Sequence, residues 1–197
     1  MKFAYEKPFD FPIVALAGYA RSGKSTASEA LINFGYKVFS FAEPIKKTLS
    51  DVYNVPIEWF YDPILKETPH GFLNGKTPRR AMQLLGTEGF RNLIDEATFT
   101  KCLEHKIFNH MNGGTPNRSG IVVDDLRFIS ELEMLVHHRS TILYIDNPKV
   151  GLAHSHQSET EMLSIMEKSF IILNNGSIEQ LHKKVLAACL NDSKEPK

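Results

Sequence analysis

A chain of 197 residues is long enough to bury one sizeable core, and one domain is its most common outcome. Lys plus Arg and Asp plus Glu balance at 23 each, which removes any bulk attraction to nucleic acid or to an anionic membrane. No apolar run approaches a bilayer span, and the opening MKFAYEKPFDFP lacks the apolar stretch of a secretory signal. Cys102 and Cys189 form no metal-like spacing, so reduced thiols and a cytoplasmic location are expected.

Residues 13–17, IVALA, suit a buried strand. Gly18-Tyr19-Ala20-Arg21-Ser22-Gly23-Lys24-Ser25 follows as a complete phosphate-binding loop pattern, and helix formers run on through Ile32. Strand, Gly-bounded turn and helix is the context in which this pattern holds ATP or GTP. The loop N–H groups turn inward to the phosphates and the helix adds its positive end. Lys24 is expected on the β- and γ-phosphates and the Ser25 hydroxyl on Mg²⁺. Gly18, Ala20, Arg21, Ser22, Gly23, Lys24, Ser25 and Thr26 are thus the candidate triphosphate contacts.

Residues 37–41, KVFSF, read as a second strand and 43–52 as a helix with Pro44 in its first turn. Prolines and glycines make 54–76 irregular. A long helix is expected from Thr77, as N-cap, and Pro78 toward Asn92, with Gly86 and Gly89 weakening its second half. Residues 99–111 suit an amphipathic helix and 112–120 a loop. Strands follow at 121–123, 141–145 and 169–173, and helices at 130–138, 159–167 and 177–190. Five strands interleaved with helices predict one α/β domain over 1–197: a parallel sheet covered on both faces, in three α/β/α layers.

An apolar strand ending in acids, IVVDD, places a carboxylate beside a bound Mg²⁺, usually through water. Asp124 and Asp125 alternate in direction if the strand continues through both, which leaves open which one faces the metal, and Asp125 is carried as the candidate. Arg127 lies just past the strand's carboxyl end, placed either to grip a phosphate with two prongs or to make a surface ion pair. On an α-helix, Arg80, Gln83, Thr87 and Arg91 share one face, suited to a phosphate and a base edge, or to solvent. Gly86 suggests close approach by another group. The FAEPIKK segment opens at the carboxyl end of the second strand and adds Phe41 and Lys47 as acceptor candidates.

The blocks GYARSGKST, FAEPIK, RRAMQLLGTEGFR, VVDDLRFISE, HSHQSE and ILNNGSIEQL together resemble the phage-type deoxynucleoside monophosphate kinases, within the nucleoside monophosphate kinase group of P-loop folds. The resemblance runs from Ile13 to Leu190 with the blocks in the family's order. It implies a five-stranded parallel core, an acceptor-binding insertion at about 43–111 and a lid at about 146–160. It implies transfer of the ATP γ-phosphoryl group, with Mg²⁺, to a deoxynucleoside monophosphate in the cytoplasm, which is the host's if the chain is phage-encoded. Residue by residue, it implies an acceptor site of Arg80, Gln83, Arg91, Asp125 and Arg127, with Lys24, Arg91 and Arg127 serving the chemistry. Asn175, in the turn before the last helix, would border the adenine, although that turn also serves as a plain cap through Ser177.

One departure is plain. Residues 146–162 hold no arginine, so Lys149, or Arg21, Arg118 or Arg139, must replace the lid arginines of related kinases. His154 and His156 lack further ligands for a metal site. Other small-molecule phosphate kinases on this scaffold, for phosphomevalonate or dephospho-coenzyme A, remain rivals, as does a nucleotide-dependent switch. The switch reading lacks a Gln-bearing segment after DDLRF. No nucleic acid or membrane partner is expected, and the oligomeric state stays open, a homodimer included.

Overall fold

Five short apolar segments set the architecture. β1 (Ile13–Ala17), β2 (Lys37–Phe39), β3 (Ile121–Val123), β4 (Thr141–Asp146) and β5 (Phe170–Leu173) form one sheet in the order β2-β3-β1-β4-β5. Every neighbouring pair is parallel. The computed structural model describes residues 4–113, 120–150 and 161–192. β1 is central and wholly buried, as a strand covered on both faces must be apolar throughout. Because the strands run one way, their carboxyl ends open at a single edge, where ligands of open α/β sheets collect.

Among the described residues the α-helices are α1 (Lys24–Asn33), α2 (Glu43–Tyr53), α3 (Pro78–Gln83), α4 (Thr98–Asn112), α5 (Ile129–His137), α6 (Met162–Met166) and α7 (Ile178–Asp192). Strand alternation sends Val14, Leu16, Val122, Leu143, Ile145 and Ile172 to one face, packed with Ala27 and Leu31 of α1 and Leu181 and Val185 of α7. Ala15, Ala17, Val123 and Tyr144 point the other way and are also buried. α6, which packs on β1 and α5, buries Met162 and Ile165. The expected α/β layering is present, and among the described residues no helix is long and apolar enough to cross a membrane.

Two compact units stand out, one of residues 1–40 with 100–197 and the other of 41–99. In the first, a polar pair is sealed in the core. Glu104 and His138 are fully buried, with His138 Nε2 and Glu104 Oε1 2.8 Å apart. The Phe9 N–H donates to His138 Nδ1 at 3.3 Å, so Nε2 carries the proton given to Glu104. Glu104 Oε2 also accepts from the Ala4 N–H at 2.8 Å, and the Phe9 ring stacks on His138. The segment before β1 is thereby tied to α4 and α5.

Several expected boundaries move. β2 ends at Phe39, so Ser40 and Phe41 belong to the connection after it. The irregular stretch 54–76 contains three single turns of 3₁₀-helix, Ile57–Phe60, Leu65–Glu67 and Gly71–Leu73. The expected helix at 159–167 is Met162–Met166 within the described residues; 159 and 160 lie outside them. The long helix from Thr77 changes character: α3 gives way to a π-helical stretch, Leu84–Ile94, closed by a bond from the Asp95 N–H to the Phe90 carbonyl. At its start the Thr77 hydroxyl accepts from the Arg80 N–H at 3.1 Å, with Pro78 next, as the cap pattern requires.

Candidate active site

The loop after β1 is shaped by close contacts. Gly18 has φ 133°, and a Cβ there would meet the Ile145 carbonyl oxygen at 2.5 Å and Ser22 Oγ at 2.8 Å. Gly23 has φ 105°, and a Cβ there would collide with the side-chain amide of Asn174. Both positions demand glycine twice over, by backbone angle and by space. Arg21 also takes a left-handed conformation, at φ 66°, and is exposed. The Lys24 ammonium donates to the carbonyls of Gly18 and Tyr19, at 2.7 and 2.9 Å, and so lies along the loop it closes. Ser22 and Gly18 are buried, Ala20 and Thr26 are half-buried, and Ser25 is exposed in the first turn of α1. The resulting cradle, with a helix N-terminus behind it, fits a polyphosphate.

The other carboxyl ends add polar groups to the same sheet edge. β3 stops at Val123, so Asp124 and Asp125 lie beyond the strand and pleat alternation does not separate them. The Asp124 N–H still donates to the Phe39 carbonyl, while Asp125 Oδ2 accepts a 2.6 Å bond from Ser40 Oγ. Glu131 Oε2 accepts from the backbone N–H groups of Arg127 and Phe128, at 2.9 and 3.1 Å, and so caps α5 and fixes the backbone of Arg127. Glu161 accepts from the Ile129 N–H at 2.6 Å. The Arg127 side chain is half-buried and makes no ion pair among the described residues. A Mg²⁺ ion needs hard oxygen donors and keeps several waters, so the Ser25 hydroxyl and the Asp125 carboxylate are a chemically fitting pair. Among the described residues no group of three or more His, Cys, Asp or Glu could hold a metal.

After β5, Asn174 is half-buried and Asn175 exposed. Ser177 and Gln180 cap α7 reciprocally: the Ser177 N–H donates to Gln180 Oε1 at 3.1 Å and the Gln180 N–H to Ser177 Oγ at 3.3 Å. Of the cations considered for the missing lid arginines, Lys149 is exposed just past β4. Arg139 precedes β4 and therefore lies at the opposite edge of the sheet, away from the loop. Arg118, and residues 151–160 of the lid expected at about 146–160, with His154 and His156, lie outside the described residues.

In the second unit the arginine stripe is rearranged. A helix with an i+5 repeat turns through a smaller angle per residue, so Thr87 and Arg91 drift away from the face that carries Arg80. Arg91 is only 6% exposed and Thr87 is buried, whereas Arg80 is exposed and pairs with Glu88 at 2.6 Å. Gln83 is half-buried. The single-face reading of Arg80, Gln83, Thr87 and Arg91 is corrected on this point. The close approach expected at Gly86 is made by Ile45 of α2, whose Cδ1 lies 2.6 Å from where a Cβ would stand. Phe41 is buried. Lys47 is exposed and pairs with Glu43 one turn earlier at 2.7 Å, a hydrogen bond that raises the lysine's pKa.

Sequence reasoning passed over Ser40 and Glu131, and took Asn174 only as part of the Asn174–Ser177 turn that would border the adenine. Glu131, three residues after Phe128, carries the spacing of a capping box and was legible in principle. Ser40 carries no local signal, because its partner is 85 positions away.

Comparison with known proteins places the chain in a family. Residues 64–185 match the family described as deoxynucleotide monophosphate kinase. A protein of Acanthamoeba polyphaga mimivirus named as a deoxynucleotide monophosphate kinase is 29% identical over 191 residues, 92% of this chain and 97% of that protein. The deoxynucleotide monophosphate kinase of Escherichia phage RB69 is 30% identical over 107 residues, 54% of this chain and 42% of the phage protein. The crystal structure of TT1252 from Thermus thermophilus superposes with a TM-score of 0.50 at 19% identity, over 96% of this chain and 100% of that one, a likeness of fold. The chain belongs to the deoxynucleotide monophosphate kinase family.

Proposed function

We propose that this kinase transfers the γ-phosphoryl group of ATP, with Mg²⁺, to a deoxynucleoside 5'-monophosphate in a direct in-line step that yields the diphosphate and ADP. The observation that carries this reading is the loop between β1 and α1, folded so tightly that a Cβ at Gly18 would meet the Ile145 carbonyl and one at Gly23 the Asn174 amide. Lys24, whose ammonium rests on the loop's own carbonyls, would exchange those contacts for phosphate oxygens. Gly18, Ala20, Arg21, Ser22, Gly23, Lys24, Ser25, Thr26 and Asn175 form the proposed ATP set.

The Ser25 hydroxyl, with Asp125 through water, would hold Mg²⁺, which when bound would supply charge neutralisation on the phosphates. Phe41, Lys47, Arg80, Gln83, Arg91, Asp125 and Arg127 form the proposed acceptor set, with Arg91 and Arg127 stabilising charge as it shifts. A monophosphate is already ionised at neutral pH, so no general base is required. The reading is tested by incubating the protein with ATP, Mg²⁺ and a deoxynucleoside monophosphate and following phosphorus NMR. Appearance of the deoxynucleoside diphosphate together with ADP supports it, and release of inorganic phosphate alone points instead to the switch.

A further inference from the structure

The turn after β5 touches the phosphate loop through one side chain. Asn174 Nδ2 donates to the Ser22 carbonyl at 2.8 Å, across 152 positions of sequence. The same residue's backbone N–H donates to the Asp146 carbonyl at 2.6 Å, which continues the β4–β5 pairing past the strand ends and fixes where the side chain starts. Its amide nitrogen occupies the space in which Gly23 would carry a Cβ. The Ser22 carbonyl and the Gly23 N–H belong to one peptide group, and in a trans peptide they point in opposite directions. Holding the carbonyl outward on Asn174 therefore holds the Gly23 N–H inward, toward the space where phosphate oxygens bind. A second tie comes from α7, where His182 Nε2 donates to the Thr26 carbonyl at 2.9 Å.

From this we infer that Asn174 is a positioning residue for the phosphate loop: it sets the Ser22–Gly23 peptide for a polyphosphate and does not itself touch the nucleotide. The inference rests on the phosphate-loop reading of residues 18–25. It also separates the roles of neighbouring asparagines, since Asn175 is exposed while Asn174 is half-buried against the loop.

The test is calorimetric binding of ATP and of inorganic tripolyphosphate to the full chain and to its Asn174→Ala and Lys24→Ala variants. A loop-positioning role weakens ATP and tripolyphosphate alike in Asn174→Ala, by roughly five- to tenfold for the loss of one hydrogen bond. The acceptor's KM stays within about twofold on the same estimate. A loss confined to ATP, with tripolyphosphate bound as in the wild type, means that Asn174 serves the base and overturns the inference, as does no loss at all. If Asn174→Ala melts before it can be measured, Asn174→Leu keeps the branched shape and the backbone bond to Asp146, removes the amide donor without adding charge, and must show the same joint weakening. Lys24→Ala separates the two readings. Wild-type polyphosphate binding in Lys24→Ala overturns the phosphate loop itself, whereas its loss there with intact binding in both Asn174 variants overturns only the positioning role.

Discussion

The hydroxyl of Ser40 donates a 2.6 Å hydrogen bond to Oδ2 of Asp125, joining the connection after β2 to the connection after β3. Ser40 is buried and Asp125 half-buried, so the bond holds one carboxylate oxygen and leaves the carboxylate in a fixed orientation at the sheet edge. A carboxylate that serves Mg²⁺ through water depends on such outer contacts for its aim.

Ser40→Ala should raise the Mg²⁺ concentration for half-maximal activity by about three- to tenfold, from the loss of one charged hydrogen bond. Ser40→Thr, which keeps the hydroxyl, should recover most of it. Initial rates against Mg²⁺ at fixed ATP read this directly, and an unchanged Mg²⁺ curve in Ser40→Ala would remove Asp125 from the metal's surroundings.

Lys24→Ala should lower kcat by roughly two to three orders of magnitude, since the ammonium neutralises charge that moves during transfer. The fold should survive, because the half-buried Lys24 belongs to the loop and not to the apolar core packed on the sheet. Single-turnover transfer and circular dichroism, taken on the same sample, check both halves.

Arg91→Ala and Arg127→Ala should each raise the acceptor's KM, lower kcat, or both, by about 1.5–3 kcal/mol in kcat/KM, with ATP affinity little changed. The two differ in stability. Arg91 is almost fully buried in the π-helical stretch and its loss should also lower the melting temperature, whereas the half-buried Arg127 should not. Kinetics against both substrates beside thermal melts separate the effects; collapse of ATP binding with intact acceptor kinetics would exchange the two sites.

His138→Ala should destabilise the fold by roughly 1–3 kcal/mol, because it takes the Nε2–H donor away from the buried Glu104 Oε1. Glu104→Gln keeps a hydrogen-bonding group and should cost less. Urea unfolding of both variants measures the difference, while ATP affinity should hold in each, since neither residue lies in the phosphate loop.

Much of this was legible because the signals are local. The phosphate loop is a contiguous pattern whose glycines are required by φ angles and by contacts at Ile145 and Asn174, and the strands are apolar runs of the right length. The Thr77-Pro78 cap and the Ser177 cap were readable for the same reason. The arginine stripe was misread because α-helical spacing was assumed through Gly86 and Gly89, where the chain winds with a wider turn and buries Arg91. Nothing in residues 77–91 alone distinguishes those two windings, and Gly86 packs against Ile45, some forty positions earlier in the chain. The Ser40–Asp125 and Asn174–Ser22 bonds join residues far apart in sequence and leave no periodic trace.

The most direct measurement is coupled detection of ADP from Mg²⁺ and ATP, with each of the four common deoxynucleoside monophosphates offered in turn beside phosphomevalonate and dephospho-coenzyme A. ADP should form only when a deoxynucleoside monophosphate is present, in step with its diphosphate, and Lys24→Ala should abolish it. Turnover with phosphomevalonate or dephospho-coenzyme A and none with any deoxynucleotide would contradict the proposed function.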